Sequence, residues 1–166
     1  VFIPIFSGYL ARGEEDRGWE AFSVIANFLV VVLVVALSVL WWAMPWLVPF
    51  VAPGFDAEQL ADLVSLSRIV LWAQIFHVVG GLLSAALQAR DRHALPAMAP
   101  LVYTGCIVAG GWIAGPHIGA YGFAWGVLIG SVLGPFGLPL IGCLRTGLSW
   151  KPVLSVRHDD LKTYRW

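Results

Sequence analysis

Long apolar stretches alternate with short polar segments along this chain. Four of them, at about residues 22–50, 68–88, 95–115 and 118–143, are each long enough to cross a bilayer, because a spanning helix needs about 20 predominantly apolar residues. Only one lysine or arginine, Arg68, falls within them, and it lies at the edge of its stretch. Backbone polar groups in hydrocarbon must be satisfied within their own segment. The pattern therefore predicts an all-α, polytopic transmembrane helical bundle.

Residues 1–10 look like the end of a further apolar helix, which makes four full spans plus the end of a fifth. The first residue is Val1 rather than methionine, and the chain stops at Trp166 without a recognisable tail. We therefore expect residues 1–166 to be a fragment of one transmembrane domain from a longer protein. The composition agrees, since 59% hydrophobic residues and a mean hydropathy of +0.80 are far from those of a soluble domain.

The basic residues are distributed unevenly about the predicted spans. Nine of the ten lie in three segments that share one side of the membrane if every stretch crosses once: Arg12, Arg17, Arg90, Arg92, Arg145, Lys151, Arg157, Lys162 and Arg165. The other side receives only Arg68, together with three acidic residues. Cytoplasmic loops carry an excess of lysine and arginine. We therefore predict that the basic loops, and the basic segment 144–166, lie in the cytoplasm.

The segment after the first span carries helix-boundary signals. Pro45 and Pro49 are expected to end or kink that span. Asp56 is expected to cap a new helix in a capping box with Gln59, three residues further on. Because no break follows, this helix is expected to run into the second span at about Arg68.

Polar and small residues recur along the second span at helical spacing. Their positions place six of them on one face of a helix: Ser67, Gln74, His77, Gly81, Ser84 and Gln88. Polar groups in a membrane helix face protein or a water-filled cavity, so this face is either a packing surface or a cavity wall. A packing role for His77 is favoured over proton transfer. Ile75 and Leu82 are expected to face lipid.

The fourth span has a glycine at every fourth position. These glycines, Gly122, Gly126, Gly130 and Gly134, leave a stripe without side chains along which a neighbouring helix can approach. We interpret them as packing residues rather than ligand contacts. Pro135 and Pro139 are expected to bend the end of this span.

The stretch from Leu87 to Thr104 (LQARDRHALPAMAPLVYT) resembles the MurJ/MviN family of lipid II flippases. Six residues match the sequence motif typical of that family: Leu87, Ala89, Arg92, Pro96, Ala97 and Pro100. Gln88, His93 and Thr104 depart from its usual Asn, Phe and Asn. Further similarities are Phe2-Ile3-Pro4, Pro53-Gly54-Phe55 and residues 119–126 (GAYGFAWG). These motifs occur in the same order as in the family, and together they extend over nearly the whole chain.

The resemblance implies that the chain covers the end of helix two through helix six of a MurJ-like fold with about fourteen helices. It also implies a flippase that moves lipid II, the undecaprenyl-pyrophosphate-linked peptidoglycan precursor, between leaflets by alternating access. The partners implied are membrane lipids, lipid II and the remaining helices of the parent protein, with no nucleic acid and no cofactor. The family's best-known cavity charges lie on helices outside this chain, so no residue here inherits those roles.

Three features have both a transport interpretation and a simpler one. Arg68 is either a cation at the outer mouth of a path or an interfacial arginine that snorkels to the headgroups. Arg90 and Arg92 either meet the incoming pyrophosphate or only set the topology. Pro96, with Pro100, is either part of a gate hinge or an ordinary helix start.

Other functions remain open at this stage. Within the same class, the chain could belong to a flippase for another polyprenyl-linked glycan or to a related multidrug exporter. In another class, a membrane-embedded polyprenyl-phosphate transferase needs several acidic residues to hold Mg²⁺, but the loop between the second and third spans offers only Asp91. A scaffold subunit is a further alternative. We predict no metal site, since the adjacent residues His158, Asp159 and Asp160 cannot easily share one ion.

Overall fold

The structure, a computed structural model, describes residues 8–9 and 11–148. Its helices are α1 (Glu15–Val51), α2 (Ala57–Gln88), α3 (Ala94–Ile113), the single turn α4 (Gly115–Ile118), α5 (Tyr121–Ser131), a π-helical segment (Val132–Gly137) and α6 (Leu138–Leu144). We call the continuous run from α5 through the π-helical segment to α6 the rod.

Four helices are long and apolar enough to cross a membrane: Asp16–Val51, Ala57–Gln88, Ala94–Ile113 and Tyr121–Leu144. The prediction of an all-α polytopic bundle is thereby confirmed. The expected helix end before residue 8 and the basic segment after residue 148, including His158, Asp159 and Asp160, lie outside the described residues.

Helix α2 begins well before the predicted apolar stretch because Asp56 starts it. The Gln59 backbone N–H donates to Asp56 Oδ1 at 2.8 Å, and the Asp56 backbone N–H donates to Gln59 Oε1 at 3.1 Å. This is the predicted capping box, which is confirmed. The 32 residues of α2 extend for about 48 Å at 1.5 Å each. Since the hydrocarbon core is about 30 Å thick, the first turns of α2 extend beyond it.

Prolines interrupt the helices less than the sequence predicts. Helix α1 continues through Pro45 and Pro49 and ends only at Val51, where the Ala52 N–H still bonds to the Val48 carbonyl oxygen. Each proline removes one backbone donor, a loss that membrane helices tolerate when neighbouring groups compensate. Pro135, by contrast, lies inside the π-helical segment, so the rod changes its hydrogen-bonding pattern there.

Helix α2 lies between α1 and the rod, while α3 packs along the rod. The hydrophobic core gathers where α1 begins and where α2 and α6 end, and consists of Trp19, Phe22, Ala26, Val79, Leu83, Ala86, Leu87 and Cys143. Ile75 and Leu82 pack against this core as partly buried side chains. The expectation that both face lipid is wrong, because α1 covers that side of α2.

Glycines set the close approach of α3 to the rod. A β-carbon added at Gly122 or Gly126 would lie 2.7 Å from the carbonyl oxygen of Gly110 or Cys106, respectively. At Gly130 it would lie 2.9 Å from the Tyr103 carbonyl oxygen, and at Gly134 it would lie 2.5 Å from that of Ala99. The two backbones are therefore in direct contact along four helical turns.

Candidate functional site

The polar face of α2 is partly exposed in the described part of the chain. Gln74, Gly81 and Gln88 are exposed, whereas Ser67, His77 and Ser84 are half-buried. The buried residues of the same helix lie beside this face and behind it: Ala73, Val79, Gly80, Leu83, Ala86 and Leu87. The described part of the chain therefore keeps a neutral, hydrogen-bonding surface available to water, ligand or another helix.

The rod forms the floor between α2 and α3. Gly80 of α2 lies so close to the Pro135 carbonyl group that a β-carbon there would clash with it. Helix α3 packs on the same π-helical segment, and α2 and α3 touch one another at few positions. His77 and Tyr103 meet edge to face across this gap, with ring centroids 5.0 Å apart.

The imidazole of His77 is oriented by its own helix. Nδ1 lies 2.9 Å from the carbonyl oxygen of Ala73. Since a carbonyl oxygen can only accept, Nδ1 carries the hydrogen of this bond. The second ring nitrogen, Nε2, is then the atom with which His77 can accept a hydrogen bond on the polar face when the ring is neutral.

At the other end of the bundle, Arg68 is held against α1. Its Nε donates to the Trp41 carbonyl oxygen at 3.1 Å, and its Cζ lies 4.0 Å from the centroid of the Trp41 ring. Nearby along α2, Asp62 Oδ1 accepts a hydrogen bond of 3.1 Å from the Tyr121 hydroxyl group. These contacts join α2 to α1 and to α5, so Arg68 has a packing role in addition to its charge.

Arg90 and Arg92 were predicted as a pair, but the structure separates them. Arg90 Nη1 donates to the Thr146 carbonyl oxygen at 2.9 Å, and its Cζ lies 5.3 Å from the centroid of the Trp19 ring. Arg90 therefore connects the end of α2 with the start of α1 and with the turn after α6. Arg92 is exposed and lines a groove instead.

The basic-end groove, as we name it, lies between the end of α2, the start of α3 and α6. It has a volume of about 460 Å³ and is lined by Leu87, Asp91, Arg92, His93, Ala94, Leu95 and Gly142. Asp91 was not among the residues predicted to contribute to a site. The reason is that neither helical periodicity nor charge pattern reveals its backbone conformation.

A Schellman motif ends α2 and positions these loop residues. The Arg92 N–H bonds to the Leu87 carbonyl oxygen and the Asp91 N–H to that of Gln88, both at 3.0 Å. Asp91 has a φ of 58°, in the left-handed region that favours glycine. At the end of α6, Gly147 occupies the equivalent position with a φ of 84°.

Pro96 and Pro100 both lie within a continuous helix. Helix α3 begins at Ala94, so Pro96 falls in its first turn, where proline needs no hydrogen-bond partner. The next backbone N–H, that of Ala97, bonds to the His93 carbonyl oxygen at 3.0 Å. This geometry is that of an ordinary helix start, and a hinge at Pro96 remains a prediction.

No group of three His, Cys, Asp or Glu residues that could hold a metal ion occurs among the residues the structure describes.

Comparison with known proteins identifies the family of the chain. A family model described as "Lipid II flippase MurJ" matches residues 1–165. A curated protein of Burkholderia cenocepacia named "Lipid II flippase MurJ" is 28% identical over 174 residues, which cover 98% of this chain and 33% of the relative. The chain thus spans about a third of the length of that relative.

Proposed function

The chain belongs to the MurJ family of lipid II flippases, and on that premise we propose that it forms part of a transporter for lipid II. The substrate would be the undecaprenyl-pyrophosphate-linked peptidoglycan precursor, carried from the inner to the outer leaflet. Its diphosphate and sugars cannot cross hydrocarbon unaided. The observation that carries the proposal is the partly exposed polar face of α2, within a helix whose buried residues lie beside this face and behind it.

In this proposal, Gln74, His77, Ser84 and Gln88 line one wall of the path. Their side chains are neutral donors and acceptors, which suit sugar hydroxyl and amide groups. The positive charge that a diphosphate requires would come largely from the remaining helices of the parent protein. Alternating access between two helical lobes would then expose this wall to each side of the membrane in turn.

We place the basic end of the bundle in the cytoplasm. Five of the six described basic residues lie at the end where α1 begins and where α2 and α6 end: Arg12, Arg17, Arg90, Arg92 and Arg145. The positive-inside rule assigns that end to the cytoplasm, in a bacterial inner membrane. Arg68 is then at the outer end. Among the basic residues in the loop between α2 and α3, we propose Arg92 as the first contact of the incoming diphosphate, because Arg90 is engaged with Thr146 and Trp19.

Family membership supports transport rather than catalysis as the activity. We therefore propose no bond-breaking step and no cofactor for this chain. The observed polar face also gives a scaffold role less support than a path, because a purely structural helix has no need for exposed glutamines in a membrane.

Cysteine labelling of the full-length protein tests the path directly. In a variant whose Cys106 and Cys143 are replaced by alanine, Gln74→Cys and Gln88→Cys should react with a membrane-impermeant thiol reagent. Lipid II should slow that reaction, because it would occupy the same path. Reactivity requires water at the site, so the α3 variant Val108→Cys, whose parent side chain is 62% exposed on an apolar helix, is the matched lipid-facing control.

Two outcomes would contradict the proposal. If Gln74→Cys and Gln88→Cys are as unreactive as Val108→Cys, the face is a packing surface. If all three positions react equally and lipid II protects none of them, the face is hydrated but is not a substrate path.

A further inference from the structure

The basic-end groove combines charges of opposite sign with an apolar floor. Leu87, Leu95 and Gly142 provide the apolar part, while Asp91 and Arg92 bring one negative and one positive charge to the same groove. A β-carbon added at Gly142 would lie 2.7 Å from Leu87 Cδ1 and 2.8 Å from Leu95 Cδ1. The floor is therefore closely packed, and a ligand would rest on it rather than pass through it.

Asp91 occupies a backbone position that favours glycine. Its φ of 58° is the one positive value among the non-glycine residues that the structure describes. Gly13 and Gly147 have positive φ values next to other helix ends on the same side of the bundle. Aspartate is among the few non-glycine residues that adopt this conformation readily, and at this helix end it places a carboxylate in the groove where glycine would place none.

The groove is built at the ends of three candidate membrane spans, where we expect lipid headgroups to lie. Gln88, Ala94 and Leu144 are the end residues of those spans. Leu87 lines the groove, whereas Gln88 belongs to the polar face, and successive helical residues point about 100° apart. The groove therefore opens on a different side of α2 from the polar face.

We propose that the basic-end groove binds the headgroup of a zwitterionic aminophospholipid of the phosphoethanolamine type. The Arg92 guanidinium group would hold the phosphate. The Asp91 carboxylate would accept hydrogen bonds from the primary ammonium group two carbons away, and the half-buried Leu95 would contact the start of the acyl chains. A glycerol headgroup has no ammonium group for Asp91 to bind, and a choline group has no N–H with which to bond to it.

This inference does not rest on the proposed function, because lipid binding can be measured without lipid II. The two proposals do share Arg92. An incoming diphosphate would therefore compete with the phospholipid for the same guanidinium group.

Native mass spectrometry of the full-length protein tests the site. The detergent-purified protein is titrated separately with phosphatidylethanolamine, phosphatidylcholine and phosphatidylglycerol of identical acyl chains. Wild type should bind phosphatidylethanolamine most tightly. Asp91→Gly should abolish that preference, a change of about tenfold for one charge-assisted hydrogen bond. Glycine suits the left-handed position, so this variant is expected to fold.

Two controls separate the groove from general surface charge. Arg92→Gln should weaken binding of all three lipids, whereas Arg145→Gln should change none of them, since Arg145 is exposed at the same end but does not line the groove. An unchanged preference in Asp91→Gly would overturn the proposal. So would tighter binding of phosphatidylglycerol than of phosphatidylethanolamine by wild type.

Discussion

Individual glycines decide which parts of α3 can approach the rod. A β-carbon added at Gly110 would lie 2.5 Å from the Gly122 carbonyl oxygen and 2.9 Å from Gly126 Cα, whereas one at Gly105 would meet nothing within 4 Å. Both glycines belong to α3. They differ in that the backbone of the rod lies against Gly110 but not against Gly105. Membrane helices associate largely through such close backbone packing.

Gly110→Ala should therefore destabilise the protein, and Gly105→Ala should not. Overpacking of this kind costs about 1–3 kcal/mol, while alanine in an open helical position is favoured by up to about 1 kcal/mol over glycine. Thermal unfolding of the two purified variants in the same detergent measures the difference. Equal midpoints would show that α3 moves away from the rod at little cost.

At the scale of elements, α2 combines two different segments. From Ala57 to about residue 67 it mixes polar and apolar residues and is started by the Asp56–Gln59 capping box, and from Arg68 onwards it is predominantly apolar. Asp62 joins the polar part to Tyr121 of α5 by a hydrogen bond. The capping box satisfies backbone donors in the first turn of α2, so the start of the helix depends on the cap.

Asp56→Ala should loosen the first turns of α2. Loss of an N-cap side chain costs about 0.5–2 kcal/mol, so the amide of Gln59 and those of the next turn should exchange hydrogen faster by about tenfold. Hydrogen exchange followed by mass spectrometry measures this change. Glu58→Ala alters an exposed acid in the same turn without removing the cap, and it should have the smaller effect. Equal exchange in both variants would contradict the local role of the cap.

At the scale of the whole molecule, the basic end combines the hydrophobic core with most of the charged residues that the structure describes. The core around Trp19 and Leu83 gathers there, and Arg90 connects three elements through Thr146 and Trp19. Arg92, two residues further on, remains exposed. Arg90 therefore contributes to packing between elements, whereas the side chain of Arg92 is available to a ligand.

Arg92→Ala should lower lipid II export while the protein inserts and unfolds normally. Arg90→Ala should lower thermal stability, because it removes the contacts that join α1, α2 and the turn after α6. The double variant should combine both losses and still insert. Rescue of a flippase-depleted cell measures export, and thermal unfolding measures stability. Normal rescue by Arg92→Ala would show that Arg92 contributes only to membrane topology. An unchanged midpoint of thermal unfolding for Arg90→Ala would show that the Arg90 contacts do not stabilise the fold.

The sequence by itself determined the features that depend on local chemistry. Hydropathy over about 20 residues is enough to specify a spanning helix, and the capping box needs only Asp56 and Gln59 in the right spacing. The ordered motifs identified the family, and the family match bears this out. The helical periodicity also placed the polar residues of α2 on one face.

Only the tertiary structure decided what each side of a helix contacts. Ile75 and Leu82 are apolar whether lipid or α1 covers them, and the packing of α1 settles the question. Likewise, the sequence does not distinguish Arg90 from Arg92, because Thr146 and Trp19 are distant along the chain. The left-handed conformation of Asp91 arises from a backbone turn. The contacts of Ile75, Leu82, Arg90 and Arg92 depend on residues that are remote in sequence, and for that physical reason local patterns could not predict them. The turn at Asp91 is local, but no glycine marks its left-handed position.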